Sequence, residues 1–357
     1  IWKKKIILFL ISKSITLFGS QIVQMAIVWY VTLHTTSGAW VAVFSVCSYL
    51  PQFLVSFVGG VWADRYNRKF LIIGADLGIA IVTFSMILIM PYISIEIVLL
   101  SLLIVMSILR SIGAGIQSPA VNAVIPQLVP AENLMRYNGI NATMQSVVQF
   151  SAPAVAGIVL SVGTLQNTLL IDILTAIVGI ALFACISLPK QDKKITSSPI
   201  LSDMKSGINC VFSQKNIGIL LMIYGIFTFL CVPAGYLSGL LVSRIYGDTY
   251  WYLTAVEICG FGGMVVGGLL MSVWGGFHKR SKTMFSGLAV FGIMAIGMGI
   301  TQIFLLYLIF MICYGVALTT IQTTITTLLQ ENTNVSMQGR IFGFMGAMYA
   351  ICYPFGM

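Results

Sequence analysis

Besides Lys13 near the start of the first run, four charged side chains lie inside long apolar runs of this sequence: Asp76, Arg110, Asp172 and Glu257. A charge in a low-dielectric interior is costly and is kept for a reason. A carboxylate held there can load and release a proton near neutral pH. Arg110 sits in Leu109-Arg110-Ser111-Ile112-Gly113-Ala114-Gly115, about seven residues, or roughly 10 Å, from the end of its run. Asp76 lies about six residues, or roughly 9 Å, inside the run that precedes it. The matching depths predict an Arg110–Asp76 pair, which serves either as a structural ion pair or in proton coupling. Asp172 heads Asp172-Ile173-Leu174 near the start of its run, where it is either a proton carrier or a helix-start acid favoured by the dipole. Glu257 lies deeper in its own run, with no basic residue following nearby, and reads as a proton carrier. Arg110, Glu257, Asp172 and Asp76 are therefore the candidate proton-coupling residues.

A second set is polar but uncharged. Gln21 and Gln24 share a helix face at i, i+3, and Asn141, Gln145 and Gln149 share one at i, i+4, i+8. Tyr224 and Thr228 fall in the middle of one run and Tyr314 in the middle of another. Hydrogen-bonding groups among Phe, Tyr and Met suit a bulky amphipathic small molecule. They suit interhelical hydrogen bonds equally well. Gly263-Met264-Val265-Val266-Gly267 reads as close helix packing. Enzyme chemistry finds no support. The two histidines, His34 and His278, stand alone, and neither H-E-x-x-H nor G-x-x-x-x-G-K-[ST] occurs. Seven cysteines, at 47, 185, 210, 231, 259, 313 and 352, form no C-x-x-C pair, so they read as small apolar residues. No metal site, cofactor or catalytic residue is expected.

The elements that must position these residues follow from composition. Of 357 residues, 58% are hydrophobic and 8% charged, with a mean hydropathy of +0.99. A soluble domain carries roughly 25% charged residues. The solvent is therefore a lipid bilayer, and continuous apolar runs of about twenty residues must be helices that satisfy their own backbone. A β-barrel would alternate at period two. Spans are predicted over 6–34, 38–63, 70–91, 95–117, 137–161, 165–188, 216–242, 251–275, 283–301, 303–326 and 338–357. The polar link 189–215 separates six from five. A signal peptide beginning at Lys3-Lys4-Lys5 is disfavoured, because the apolar run continues to Tyr30 without a small-residue cleavage site.

Basic residues set the orientation. With a cytoplasmic N-terminus, all of the 19 Lys and Arg except Arg110 and Arg244 fall on the inner side, counting Lys13 as snorkelling to the inner interface. The net charge of +9 is then a topology signal and implies no nucleic-acid partner. The expected location is the cell membrane, with many passes.

Two internal echoes divide the chain. Val61-Trp62 with Arg68 returns as Val273-Trp274 with Arg280, and Ile125-Pro126-Gln127-Leu128-Val129 through Gly139 returns as Ile325-Thr326-Thr327-Leu328-Leu329 through Gly339. The short charged link Gly60-Val61-Trp62-Ala63-Asp64-Arg65-Tyr66-Asn67-Arg68-Lys69 joins two apolar runs as a hairpin. Its pattern, G-x-x-x-D-R-x-x-R-K, resembles the loop between the second and third helices of major facilitator superfamily (MFS) transporters. Asn67 stands where the family has Gly, and Asn also tolerates a left-handed backbone. The resemblance narrows to the macrolide-efflux (Mef-type) branch of MFS drug exporters. It is carried by Gln24-Met25-Ala26-Ile27, Ile73-Gly74-Ala75-Asp76-Leu77, Arg110-Ser111-Ile112-Gly113, Pro119-Ala120-Val121-Asn122-Ala123-Val124, Leu128-Val129-Pro130 and Gly339-Arg340. Lys13 departs from it, since relatives tend to have an uncharged residue there.

The resemblance implies an all-α membrane fold of two pseudo-symmetric six-helix bundles. The expected organisation is 1–188 as the N-terminal bundle, 189–215 as a cytoplasmic linker and 216–357 as the C-terminal bundle, incomplete in or after the eleventh of twelve helices. It implies proton-coupled efflux of hydrophobic or amphipathic compounds by alternating access, with protons and the lipid bilayer as partners and a monomer as the expected state. It places Gly60, Asp64, Arg65 and Arg68 at an inner gate, with Asp64 facing the start of the eleventh helix and the arginines holding carboxylates or lipid phosphates. Gln21, Gln24, Gln145, Gln149, Tyr224, Thr228 and Tyr314 are the expected substrate-binding residues. The alternatives are export of a siderophore or metabolite, or a non-transporting membrane fragment.

Overall fold

The computed structural model of the chain describes residues 2–35, 38–189, 213–246 and 250–356. Among them are eleven α-helices, two short 3-10 turns and no strand. The helices are α1 (Trp2–Thr35), α2 (Gly38–Arg65), α3 (Arg68–Ile89), α4 (Glu96–Leu128), α5 (Leu134–Val162), α6 (Leu165–Ala184), α7 (Lys215–Ile245), α8 (Tyr250–Trp274), α9 (Arg280–Ile300), α10 (Phe304–Asn332) and α11 (Gln338–Gly356). Nine contain segments long and apolar enough to cross a membrane. Most of the 189–215 link lies outside the described residues.

Helix α3 shows why these sequences become inverted amphipathic helices. Arg68, Ile72, Ala75, Asp76, Ile79, Ala80, Thr83 and Met86 form one buried stripe at helical spacing. Phe70, Leu77, Ile81, Phe84 and Leu88 stand exposed on the other face. The outward face is as apolar as the core, which only lipid tolerates over such an area.

Helix α4 departs most from expectation. It does not end at 117 but continues to Leu128 through Pro119 and Pro126. Proline stops helices in water, but within a packed membrane bundle neighbouring helices and local adjustment re-satisfy the freed carbonyls. Helix α10 likewise runs beyond 326, to Asn332. The link before α3 also differs in detail. Asn67 is extended (φ −66°, ψ 114°), not left-handed, and its side chain caps α3 by accepting from the Lys69 N–H at 3.0 Å.

Helix α2 packs on α4 and α11, α1 on α6 and α5, α8 on α10 and α5, and α9 on α10. The first six helices enclose two main apolar layers. One, at the end carrying the α2–α3 link, contains Ile6, Phe9, Leu10, Ile72, Val124 and Phe183. The other, toward the opposite end, contains Val23, Ile27, Phe44, Met86, Leu103 and Leu169. The later helices share one continuous core around Phe227, Phe291, Tyr307, Tyr314 and Ile321.

Candidate functional site

Between the two apolar layers of the first six helices lies a band of buried charge. It has two levels; α1, α3 and α4 contribute to both, at positions seven residues, or about 10 Å, apart, and α6 joins at the second. At the first, Lys13 of α1 donates from Nζ to Asp76 Oδ2 of α3 at 2.7 Å. Gln117 of α4 donates from Nε2 to the other oxygen, Oδ1. At the second, Ser20 of α1 lies 3.3 Å from Asp172 Oδ1 of α6. The Thr83 hydroxyl of α3 lies 3.1 Å from Asp172 Oδ2. Arg110 of α4 donates to that same oxygen and to the Thr83 hydroxyl, the latter at 2.6 Å. Asp76 is 3% exposed and Asp172 1%. Each acid has a cation in contact, which is what allows a charge to remain at this depth.

This pairing corrects the expected Arg110–Asp76 bond. Depth was measured from an α4 end at 117, but α4 continues to Leu128. The α4 residue level with Asp76 is therefore Gln117, and Arg110 lies two turns farther along, level with Thr83. Lys13 does not snorkel; it is buried and bonded to Asp76. Asp172 is no helix-start acid, because it lies two turns into α6. Glu257 does not join the band. It is exposed on α8, and among the described residues no cation pairs with it. The signal for Lys13 was present in the sequence as a basic residue within an apolar run; its distance from the helix start suggested the surface. Gln117 gave no signal beyond polarity.

The second arrangement closes one end of the molecule, here called the inner end. Asp64, at the end of α2, accepts from the backbone N–H of Gly339 (2.8 Å, Oδ1) and of Arg340 (3.1 Å, Oδ2). Helix α11 begins at Gln338, so these N–H groups have no intrahelical acceptor and carry the positive end of the dipole. The helices touch backbone to backbone: a Cβ on Gly60 would fall on the Gly339 carbonyl, and a Cβ on Gly339 on that of Gly60. Arg68 does not face lipid phosphate. It is 1% exposed and donates to the carbonyls of Ala63 (2.9 Å), Ala123 (2.7 Å) and Val335 (2.9 Å), with Asp64 Oδ1 at 3.4 Å. Buried beneath the link, it ties α2, α4 and the turn before α11 together. Arg65 is only partly buried.

A neutral cluster closes the neighbouring seam. Asn138 of α5 donates from Nδ2 to Thr327 Oγ1 (2.9 Å) and Gln330 Oε1 (2.5 Å) of α10. Gln330 donates in turn to the Asn122 carbonyl at 3.2 Å. These residues escaped sequence reading, because amides near helix ends look like ordinary surface.

The expected ligand-binding residues divide. Tyr224, Thr228 and Tyr314 are buried in the second half, Tyr314 at 4.5 Å from Phe291 between ring centroids. The Thr228 and Tyr314 hydroxyls are buried without a hydrogen bond of ordinary geometry among the described residues. Gln21, Gln24, Gln145 and Gln149 are half-buried on α1 and α5, and Gln24 Nε2 lies 3.3 Å from Ser48 Oγ of α2. The structure does not gather the two groups into one described pocket.

Comparison with known proteins agrees with this geometry. The chain is 28% identical over 360 residues to Macrolide efflux protein A of Streptococcus pyogenes, covering 100% of this chain and 88% of that protein. It is 27% identical to Macrolide efflux protein A of Enterococcus faecalis, covering 90% of this chain and 99% of that one. A weaker likeness, 22% over 188 residues, joins it to the Staphyloferrin A transporter of Staphylococcus aureus, covering 52% of this chain and 46% of that one. In fold it resembles the human organic anion transporter MFSD10 (TM-score 0.79, 10% identity, 99% of this chain and 92% of that). It also resembles the E. coli fucose:proton symporter FucP (TM-score 0.78, 13% identity, 100% and 90%). The expected all-α transporter fold is thus the observed one, and an enzyme is ruled out by kinship. Residues 9–357 match the Major Facilitator Superfamily, and with the Asp64 link, the internal repeat and the membrane helices in place, the chain belongs to that superfamily of multi-pass membrane transporters.

Proposed function

We propose that this transporter exports hydrophobic or amphipathic small molecules, macrolide-like compounds among them, in exchange for protons. The observation that carries the substrate class is the end-to-end similarity to two macrolide efflux proteins. Proton exchange is supported by the buried band, where Asp76 and Asp172 sit against Lys13 and Arg110 in helices that pack on one another. Residues 1–188 and 216–357 are read as two bundles joined by 189–215, rocking around a midplane site. Asp64, Gly60 and Arg68 hold the inner end shut in the state described. The N-terminus is cytoplasmic in this reading, supported by the concentration of Lys and Arg on that side. An impermeant thiol reagent should then fail to reach a cysteine placed at Ser197 in intact cells.

Everted membrane vesicles energised to an acidic interior test the function. Labelled erythromycin should accumulate in vesicles carrying the chain, and a protonophore should abolish the accumulation. Accumulation that persists with the protonophore removes the proton coupling; none at all removes the macrolide class. The likeness to the Staphyloferrin A transporter supports a second reading, export of a siderophore. Such a compound belongs in the same panel.

A further inference from the structure

The band holds two acids, and their surroundings are not equivalent. Asp172 accepts from a guanidinium, with a hydroxyl beside each of its oxygens. Arginine is not deprotonated in proteins, so the guanidinium of that pair keeps its charge. Asp76 has one ammonium on Oδ2 and one neutral amide on Oδ1. Lysine is a single-point donor and, when buried, a base that releases its proton readily. Both members of this pair can therefore change protonation. Gln117, which covers Oδ1, is only half-buried, whereas Arg110 and Asp172 are buried.

We propose that Lys13–Asp76 is the site that holds the exchanged proton, that Arg110–Asp172 is a fixed pair beside it, and that Gln117 is the positioning residue through which the proton arrives. This rests on the proton-coupled reading above and assigns its site. The step is a simple proton addition. A proton from water on the Gln117 side forms an O–H bond at Asp76, Lys13 keeps its three N–H bonds, and the pair passes from net zero to +1. Release reverses it. The charged groups beside Asp76 are Lys13 of α1, which bonds to it, and the Arg110–Asp172 pair of α4 and α6, the two helices that pack most on α3. Because the last two cancel, the charge of the band follows the first pair alone.

Lys13→Arg separates this from a structural role. It preserves the charge and the pair, but a guanidinium grips a carboxylate with two parallel bonds and holds it ionised. A structural pair tolerates the change; an exchange site does not. The purified full chain in lipid nanodiscs is titrated between about pH 5 and pH 9 while the carboxyl C=O stretch is followed by infrared difference spectroscopy. Gradient-driven efflux is measured in parallel. The wild type should show a titrating carboxyl that Asp76→Asn removes and Lys13→Arg moves to lower pH, and Lys13→Arg should lose gradient-driven efflux with its melting temperature retained. Should Lys13→Arg misfold, Lys13→Met/Asp76→Asn, which leaves no stranded charge, should fold and also lose it. A wild-type Asp76 that does not titrate, or full gradient-driven efflux in either folded variant, overturns the assignment. A titrating Asp76 together with gradient-independent wild-type efflux would overturn the proton-coupled reading instead, leaving a proton site without that role.

Discussion

The two halves of the molecule repeat one scaffold, but among the described residues the ion pairs buried within a helix bundle lie in the first. The α2–α3 and α8–α9 links make the same inward bond: Arg68 donates to the Ala63 carbonyl and Arg280 to the Gly275 carbonyl, each five residues back. Each link lies beside a close helix crossing. Gly60 meets Gly339 at the first; at the second, Gly139 stands so close that a Cβ would fall on the Ser272 backbone. Yet where the first link has Asp64, the second has Gly276 in a left-handed conformation (φ 80°). The reason lies in the partner helix. Helix α11 begins at Gln338, so Gly339 and Arg340 offer free N–H groups to an anion. Helix α5 begins at Leu134, a full turn before Gly139, so the N–H there is already bonded within its helix. An acid at the second crossing would find no free N–H at the partner helix, and the neutral Asn138 cluster holds that seam instead. The contrast continues in the cores: two buried ion pairs cross the first half, while an aromatic core fills the second.

Removing charge should therefore matter most in the first half. Arg110→Ala strands Asp172 and should cost about 3–5 kcal/mol, read as lost expression and a lowered melting temperature. Arg110→Ala/Asp172→Ala should be milder than the single change, and Arg110→Ala/Asp76→Ala should not be; the reverse ranking would contradict the pairing. Next comes the neutral seam. Asn138→Leu leaves Gln330 Oε1 buried without its donor and should cost about 1–3 kcal/mol, with little dependence on salt. Asp64→Asn keeps an acceptor but loses the charge at the α11 terminus, at a cost of up to about 2 kcal/mol for a partly buried geometry. The smallest effect is expected at Arg280→Ala. It loses a part-buried bond to the Gly275 carbonyl and an ion pair to Glu331 at 3.4 Å, both side chains about a quarter exposed, and such exposed pairs contribute about 0–1 kcal/mol. A loss at Arg280 matching that at Arg110 would erase the distinction between the halves.

Much of this was legible before any coordinates. Apolar runs marked the helices, the family resemblance of the 60–69 link pointed Asp64 at the eleventh helix, and the echoes of Arg68 in Arg280 and of Gly139 in Gly339 fall at equivalent positions. What misled was α4. Ending that helix at 117, when it runs on through Pro119 and Pro126, shifted every depth along it, which paired Arg110 with the wrong acid. Lys13 misled for a related reason: sequence gives a residue's distance from a helix end, not the direction its side chain takes. The Asn138–Gln330 seam was out of reach, since hydrogen bonds between distant helices leave no periodicity.

If the halves rock as bodies, a single charged latch on one side holds both crossings shut. Pulsed electron-spin distances test this, with labels on exposed Tyr66 and Ser336 across the α2–α11 crossing and, separately, on exposed Arg136 and His278 across the α5–α8 crossing, in a background freed of native cysteines. Rigid rocking predicts that Asp64→Asn adds a longer-distance population to both pairs in equal proportion. A longer population across Tyr66 and Ser336 alone, with Arg136 and His278 unmoved, would contradict it.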